Sequence, residues 1–241
     1  MNLREFFSGS ILGIFILVTT QFVFLSSIVL SQDEDEPEDT ALVLNGAIWN
    51  VHDPVMIKHE DMYYIFSTGA DIPIRQSTNM VDWLFAPTMN VFEDMPEEAG
   101  EYVPGADSIW APDVSYFNDR YHIYYSVSTF GSSHSAIGLV TNTTLNSEDE
   151  DYEWVDHGIV VKSTRSSNYN AIDANLVLDS DNEPWLVFGS HWSGIKMIKI
   201  DYNTGKQSTE DETVYSLASR RIHPRAVEAP FIIYRDGYYY L

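Results

Sequence analysis

The chain contains no cysteine. That absence removes a disulfide framework, a thiolate metal site and a cysteine nucleophile together. Positive charge is also scarce: 13 Lys and Arg stand against 36 Asp and Glu, for a formal charge of −23. No basic stripe is present to displace phosphate counterions, which excludes nucleic acid as a partner. No long amphipathic helix is legible anywhere. His52, His134, His191 and His223 show no spacing that demands a metal, so the residues assign no metal ligand. Long apolar runs are missing too, with one exception at residues 11–30. Arg4 precedes that run and an acidic stretch follows it, which reads as an export signal ending at Ser31 or as a retained membrane anchor. Residues 1–31 are therefore set apart as signal or anchor, and residues 32–44 as an acidic disordered tether. The other acidic runs, at residues 93–101, 148–153 and 210–212, read as solvated loops.

What is present is a succession of short apolar strands separated by polar turns, beginning at residue 45. The fullest unit runs from Asn170 to Ile195. Asp173 heads an apolar strand, a tight turn follows at residues 179–183, and a second strand ends in Gly189-Ser190-His191-Trp192. Similar units start at His52-Asp53-Pro54-Val55, at Trp110-Ala111-Pro112-Asp113 and at Glu228-Ala229-Pro230-Phe231. The heading residues Asp53, Trp110, Asp173 and Glu228 recur with a period of about 60 residues, which is the signature of a β-propeller with four strands per blade. A β-sandwich also supplies regular strands, but does not explain polar residues at one fixed phase. Trp83 and Trp154 recur behind the third strands and read as packing between blades. Asp113 reads as a structural residue bonded to backbone near a strand start. Asn142-Thr143-Thr144 is a lone glycosylation sequon.

In a propeller the first strand of each blade is innermost, and the same end of each opens on one funnel. Asp53, Asp173 and Glu228 are then brought together although they lie far apart in sequence. Carboxylates sharing one concavity repel one another, which splits their pKa values and separates acid from base. An acid and a base flanking a sugar bond, with room for water, is the arrangement of an inverting glycosidase. Aromatic residues make up 14% of the chain, more than its core needs, and suit the stacking of sugar rings.

Taken in order and at their spacing, Val51-His52-Asp53-Pro54-Val55, Trp110-Ala111-Pro112-Asp113, Asn170-Ala171-Ile172-Asp173, Gly189-Ser190-His191-Trp192-Ser193-Gly194-Ile195 and Val227-Glu228-Ala229-Pro230-Phe231 resemble glycoside hydrolase family 43. Within it they are most similar to the endo-1,5-α-L-arabinanases. The resemblance implies an all-β, five-bladed propeller that cleaves plant cell-wall arabinan or arabino-oligosaccharides with inversion. It makes Asp53 the general base, Glu228 the general acid, and Asp173 the residue that holds the acid's pKa up and orients it. It also places Trp110, Gly131, Asn170, Ala171, Ile172, Ser190, His191 and Trp192 along the sugar subsites. The arabinanase pattern often has Phe where this chain has His191. No cofactor is implied for the chemistry, whereas the central channel of such propellers can carry a structural calcium or a water, with its ligands unassigned.

The resemblance leaves three alternatives open. They are an exo-acting arabinofuranosidase, a β-xylosidase of the same family, and a sugar-binding propeller without catalysis. On the 60-residue period, residues 45–241 hold about three and a half blades. The expectation is therefore a partial propeller domain that by itself is poorly soluble and nearly inactive.

Overall fold

The computed structural model describes residues 41–224 and 226–241. The readings of residues 1–31 as signal or anchor, and of most of the acidic tether, fall outside the described residues. Of the tether, Leu42, Val43 and Leu44 are described and are exposed. From Leu42 to Leu241 the chain forms one compact unit.

Three sheets of antiparallel strands follow one another, and a hairpin comes after them. The first sheet contains β2 (Val55–His59), β3 (Met62–Phe66), β4 (Pro73–Ser77) and β5 (Asp82–Asn90), with the two-residue β1 (Asn45–Gly46) pairing parallel to the outer edge of β5. A six-residue helix, α1 (Glu97–Tyr102), leads to the second sheet. That sheet holds β6 (Trp110–Phe117), β7 (Arg120–Val127), β8 (Ser135–Asn142) and β9 (Val155–Ser163). The third holds β10 (Asn175–Leu178), β11 (Pro184–Phe188), β12 (Ile195–Lys199) and β13 (Tyr215–Ala218). The hairpin is β14 (Ile233–Arg235) and β15 (Tyr238–Tyr240). Innermost strands lie side by side: β2 touches β6, and β6 touches β10. These are blades around a common axis, as the period predicts.

Alternation within each strand decides which neighbour a side chain meets. In β7, Tyr121, Ile123, Tyr125 and Val127 pack toward the first blade with Tyr64, Phe66, Ile72 and Ile74. Tyr124, pointing the other way, joins Phe117, Ile137 and Leu139 against Leu176, Leu186 and Phe188 of the third blade. The second blade is thus covered on both faces, and β8 is buried along its whole length. Trp154 meets Phe66 edge-on at 5.9 Å, which is the interblade packing expected of it. At the uncovered end of the series, the β14–β15 hairpin is exposed throughout.

Gly138 in β8 has a tight steric role. Any Cβ there would run into the ring of Tyr125, itself fully buried with its hydroxyl donating to Asp156 at 2.9 Å. Gly138→Ala is expected to cost about 1–3 kcal/mol through overpacking. That corresponds to a fall of roughly 2–10 °C in Tm, readable by thermal circular dichroism; an unchanged Tm would show that the ring can move aside.

Several local expectations need correction. The acidic run at residues 93–101 is not only a solvated loop, because α1 forms within it and Glu98 Oε2 accepts the Ile159 N–H at 2.9 Å. Lys206 binds the carbonyls of His157, Gly158 and Ile159 at the same bulge of β9. These partners lie about 50 residues or more away in sequence, so no local pattern announces them. The Asn142 side chain is buried, and its Oδ1 accepts from the N–H groups of Thr144 and Glu153. The sequon is therefore a structural turn in the folded state, closed to a glycan.

Candidate active site

One backbone feature repeats at the head of every blade. Asp53, Ala111, Asp173 and Ala229 all have left-handed conformations, with φ of 46°, 39°, 60° and 50°. None is glycine, so each costs about 1–3 kcal/mol that the surrounding structure must offset. A regular strand would send successive side chains to opposite faces. The left-handed residue cancels that alternation, and both members of each pair reach the same concavity: His52 with Asp53, Trp110 with Ala111, Ile172 with Asp173, and Glu228 with Ala229. This corrects the phase read from sequence. Asp53 and Asp173 occupy the left-handed position itself, whereas Trp110 and Glu228 precede it by one residue.

The concavity has a volume of about 940 Å³. Asp53, Asp173 and Glu228 all line it, as do Trp110, Gly131, Asn170, Ile172, Ser190, His191 and Trp192. Ala171 does not. It is fully buried in the core between the second and third blades, because the strand-like alternation still holds one residue earlier. Sequence reasoning missed His52, Thr68 and Phe130 among the lining residues. Phe130 is fully exposed at the cavity within a Ser-Thr-Phe-Gly loop, and an apolar ring in so polar a loop was the available signal.

Each carboxylate is held differently. Asp53 Oδ2 accepts from the Thr68 hydroxyl at 2.7 Å and lies 3.3 Å from His52 Nε2. Thr68 is fixed in turn, since its Oγ1 accepts the Ala111 N–H of the next blade at 2.8 Å. The segment leading to Asp53 is anchored by buried Arg75, which donates to the carbonyls of Ala47 (2.9 Å) and Trp49 (3.2 Å) and to Ser67 Oγ (3.1 Å). Asp173 Oδ2 accepts the Ala229 N–H at 3.2 Å, binding the peptide next to Glu228. Burial pushes the Asp173 carboxyl up to about 6; the Ala229 bond opposes this, while the charges of Glu228 and Asp53 add to it. Glu228 Oε2 accepts from Ser190 Oγ at 2.8 Å and lies 3.4 Å from His191 Nδ1. Trp110 is oriented by its indole N–H, which donates to Ser108 Oγ at 2.9 Å.

Asp113 lies at the floor. Its carboxylate accepts from the Leu176 N–H (2.8 Å) and Asn175 Nδ2 (3.2 Å), and Asn175 Oδ1 accepts the Ile232 N–H at 2.8 Å. This ties the second, third and fourth blades together at their inner strands, the structural role expected of it. Burial raises Asp113 to about 7 in spite of the hydrogen bonds that favour its charge. These floor oxygens face N–H donors, and among the described residues no group of three or more His, Asp or Glu is arranged to hold a metal ion. The structural calcium expected in the central channel finds no support in such a group among the described residues.

The fold and the cavity together define a β-propeller with a carboxylate-lined funnel. Residues 47–241 match the family described as glycosyl hydrolases family 43. The chain belongs to that family, whose arabinanase structures are five-bladed propellers. It is 42% identical to the extracellular endo-α-(1→5)-L-arabinanase 1 of Bacillus subtilis, over 84% of this chain and 63% of that protein. It is 36% identical to the extracellular exo-α-(1→5)-L-arabinofuranosidase ArbA of Cellvibrio japonicus, over 80% of this chain and 58% of that protein. The family 43 endo-arabinanase structure from Bacillus licheniformis superposes with a TM-score of 0.75 at 43% identity, covering 83% of this chain and 66% of that one. The chain thus spans between 58% and 66% of the length of these relatives.

Proposed function

We propose that the whole protein is an exported hydrolase of α-1,5-linked L-arabinan that acts with inversion. The supporting observation is the convergence of Asp53, Asp173 and Glu228 on one cavity bordered by Trp110 and Trp192. The extracellular arabinan-directed relatives supply the substrate class and the reading of export. Residues 1–31 serve as the export signal or anchor, and residues 32–44 as the tether to the domain at 45–241.

In this reading Asp53 is the general base. With Oδ2 engaged by Thr68 and His52, its Oδ1 takes a proton from water as the water oxygen bonds to the anomeric carbon. The glycosidic C–O bond breaks on the opposite face, and Glu228 gives its proton to the departing oxygen. Asp173 orients Glu228 through the Ala229 peptide, and its charge, when present, opposes early loss of the acid's proton. Trp110, Gly131, Asn170, Ile172, Ser190, His191 and Trp192 contact the sugars.

Incubation of the protein with linear α-1,5-arabinan, followed by proton NMR, tests this. The first product formed is expected to be the β-anomer, as oligosaccharides from an endo enzyme. Arabinose alone would select the exo reading, which the Cellvibrio relative favours. An initial α-anomer would overturn inversion, and intact arabinan would overturn the substrate.

A further inference from the structure

The Gly189–Gly194 corner meets the carboxylate of Glu228 in a way that fixes more than its place. A serine hydroxyl carries one hydrogen. That of Ser190 is donated to Glu228 Oε2 at 2.8 Å, so toward His191 Nδ1, 3.0 Å away, Ser190 Oγ can only accept. His191 Nδ1 must therefore carry a hydrogen. The same Nδ1 lies 3.4 Å from Oε2, close enough to reinforce the contact electrostatically. The chain from His191 Nδ1–H to Ser190 Oγ, and from the Ser190 hydroxyl to Oε2, thus ends on one oxygen of the carboxyl group.

The corner that presents them is rigidly tied to the segment it serves. His191 N–H donates to the Val227 carbonyl at 2.9 Å, one residue before Glu228, and Gly194 N–H donates to the His191 carbonyl at 2.7 Å. His191 and Trp192 are both left-handed, with φ of 54° and 40°. Two successive non-glycine residues in that region are strained, and the strain turns the imidazole toward the carboxylate. His191 Nε2 has no hydrogen-bond partner among the described residues, although the ring lines the cavity.

We propose that His191 and Ser190 form a two-link hydrogen-bond clamp, His191 Nδ1–H to Ser190 Oγ and the Ser190 hydroxyl to Oε2 of Glu228, which assigns the transferable proton to Oε1 and leaves His191 Nε2 as an acceptor for a sugar hydroxyl. The proposal rests on Glu228 being the proton donor. As the Oε1–H bond breaks and its proton passes to the departing oxygen, the electron pair stays on the carboxylate. The clamp then faces a full negative charge, and its hydrogen bonds strengthen. Ser190 and His191 are positioning residues that act most in the transition state, and His191 also sets sugar specificity through Nε2.

Nitrogen-15 NMR of the protein near neutral pH reads the ring directly, with the His191 signals identified by their loss in His191→Asn. The expected state is the Nδ1–H tautomer; an Nε2–H ring or an imidazolium would overturn the clamp as drawn. Kinetically, Ser190→Ala is expected to lower kcat by about 10–100-fold. His191→Phe should lower kcat by roughly 10-fold and raise KM, since both ring nitrogens are lost. His191→Asn places a carboxamide N–H near the former Nδ1–H, and should restore kcat while KM stays raised. Wild-type kinetics in His191→Phe would sink the proposal. An Nδ1–H ring combined with a fully active Glu228→Gln protein would instead place the fault in the choice of acid.

Discussion

Glu228→Gln is expected to lower arabinan turnover by about 10²–10⁴-fold, the usual contribution of a positioned acid. Binding of arabino-oligosaccharides should change little, because Gln keeps the size of the side chain and can still accept from Ser190 at the position of Oε2. Asp53→Asn should produce a loss of the same order, since its amide cannot take a proton from water while Thr68 still holds it in place. Binding is read by calorimetry and turnover by reducing-sugar release. A Glu228→Gln protein that turned over at the wild-type rate would remove the acid assignment. Loss of binding together with turnover would mean that the substitution had disturbed the funnel itself. Asp173→Asn separates its two roles. The amide can still accept the Ala229 N–H but carries no charge, so activity surviving in that variant would point to orientation rather than charge as its contribution.

The second large effect is on stability. Asp113→Ala strips two buried donors, the Leu176 N–H and Asn175 Nδ2, of their acceptor. At about 1–3 kcal/mol for each unsatisfied group, the variant is expected to lose roughly 2–6 kcal/mol, enough to threaten a marginally stable domain. Asp113→Asn is milder and carries the pH test. The folded carboxyl sits at about 7 against 3.8 for an ordinary aspartate, so the native state holds the extra proton between those values. Its contribution is fully present below about 4 and is lost as pH rises through about 7. Asp173, at about 6, acts in the same direction. His122, held at about 4 by burial, acts oppositely: its contribution is lost as pH falls from 6.5 through 4. The wild type minus Asp113→Asn difference in Tm isolates Asp113, and should shrink between pH 6 and pH 8 as the wild type loses stability. A difference constant over that range would show that Asp113 is ionised throughout, held by its hydrogen bonds to Leu176 and Asn175.

Much of the architecture was written in short-range pattern. The apolar run Met62–Phe66, turn residues at Asn118-Asp119, and the return of Asp, Trp, Asp and Glu at blade heads are local or periodic signals. They sufficed for strands, blades and the three carboxylates, because a strand's side-chain period and a blade's length are properties of the chain itself. Strand β13 escaped notice because its half-exposed sequence Tyr-Ser-Leu-Ala has little apolar contrast.

What only the tertiary structure decided depends on the sign of φ and on partners distant in sequence. The left-handed residues at 53, 111, 173 and 229 cancel strand alternation. They bring Glu228 into the cavity one position ahead of the phase of Asp53, while Ala171 turns into the core. No residue type demanded this, since alanine rarely takes that conformation unless the surrounding contacts impose it. The partners of the site residues are equally non-local: Thr68 is set by Ala111, Asp173 by Ala229, and Glu228 by Ser190. Each contact crosses from one blade to the next. The sequence by itself determined which carboxylates the funnel would hold, and the packing of blade on blade determined which oxygen of each is engaged in a hydrogen bond.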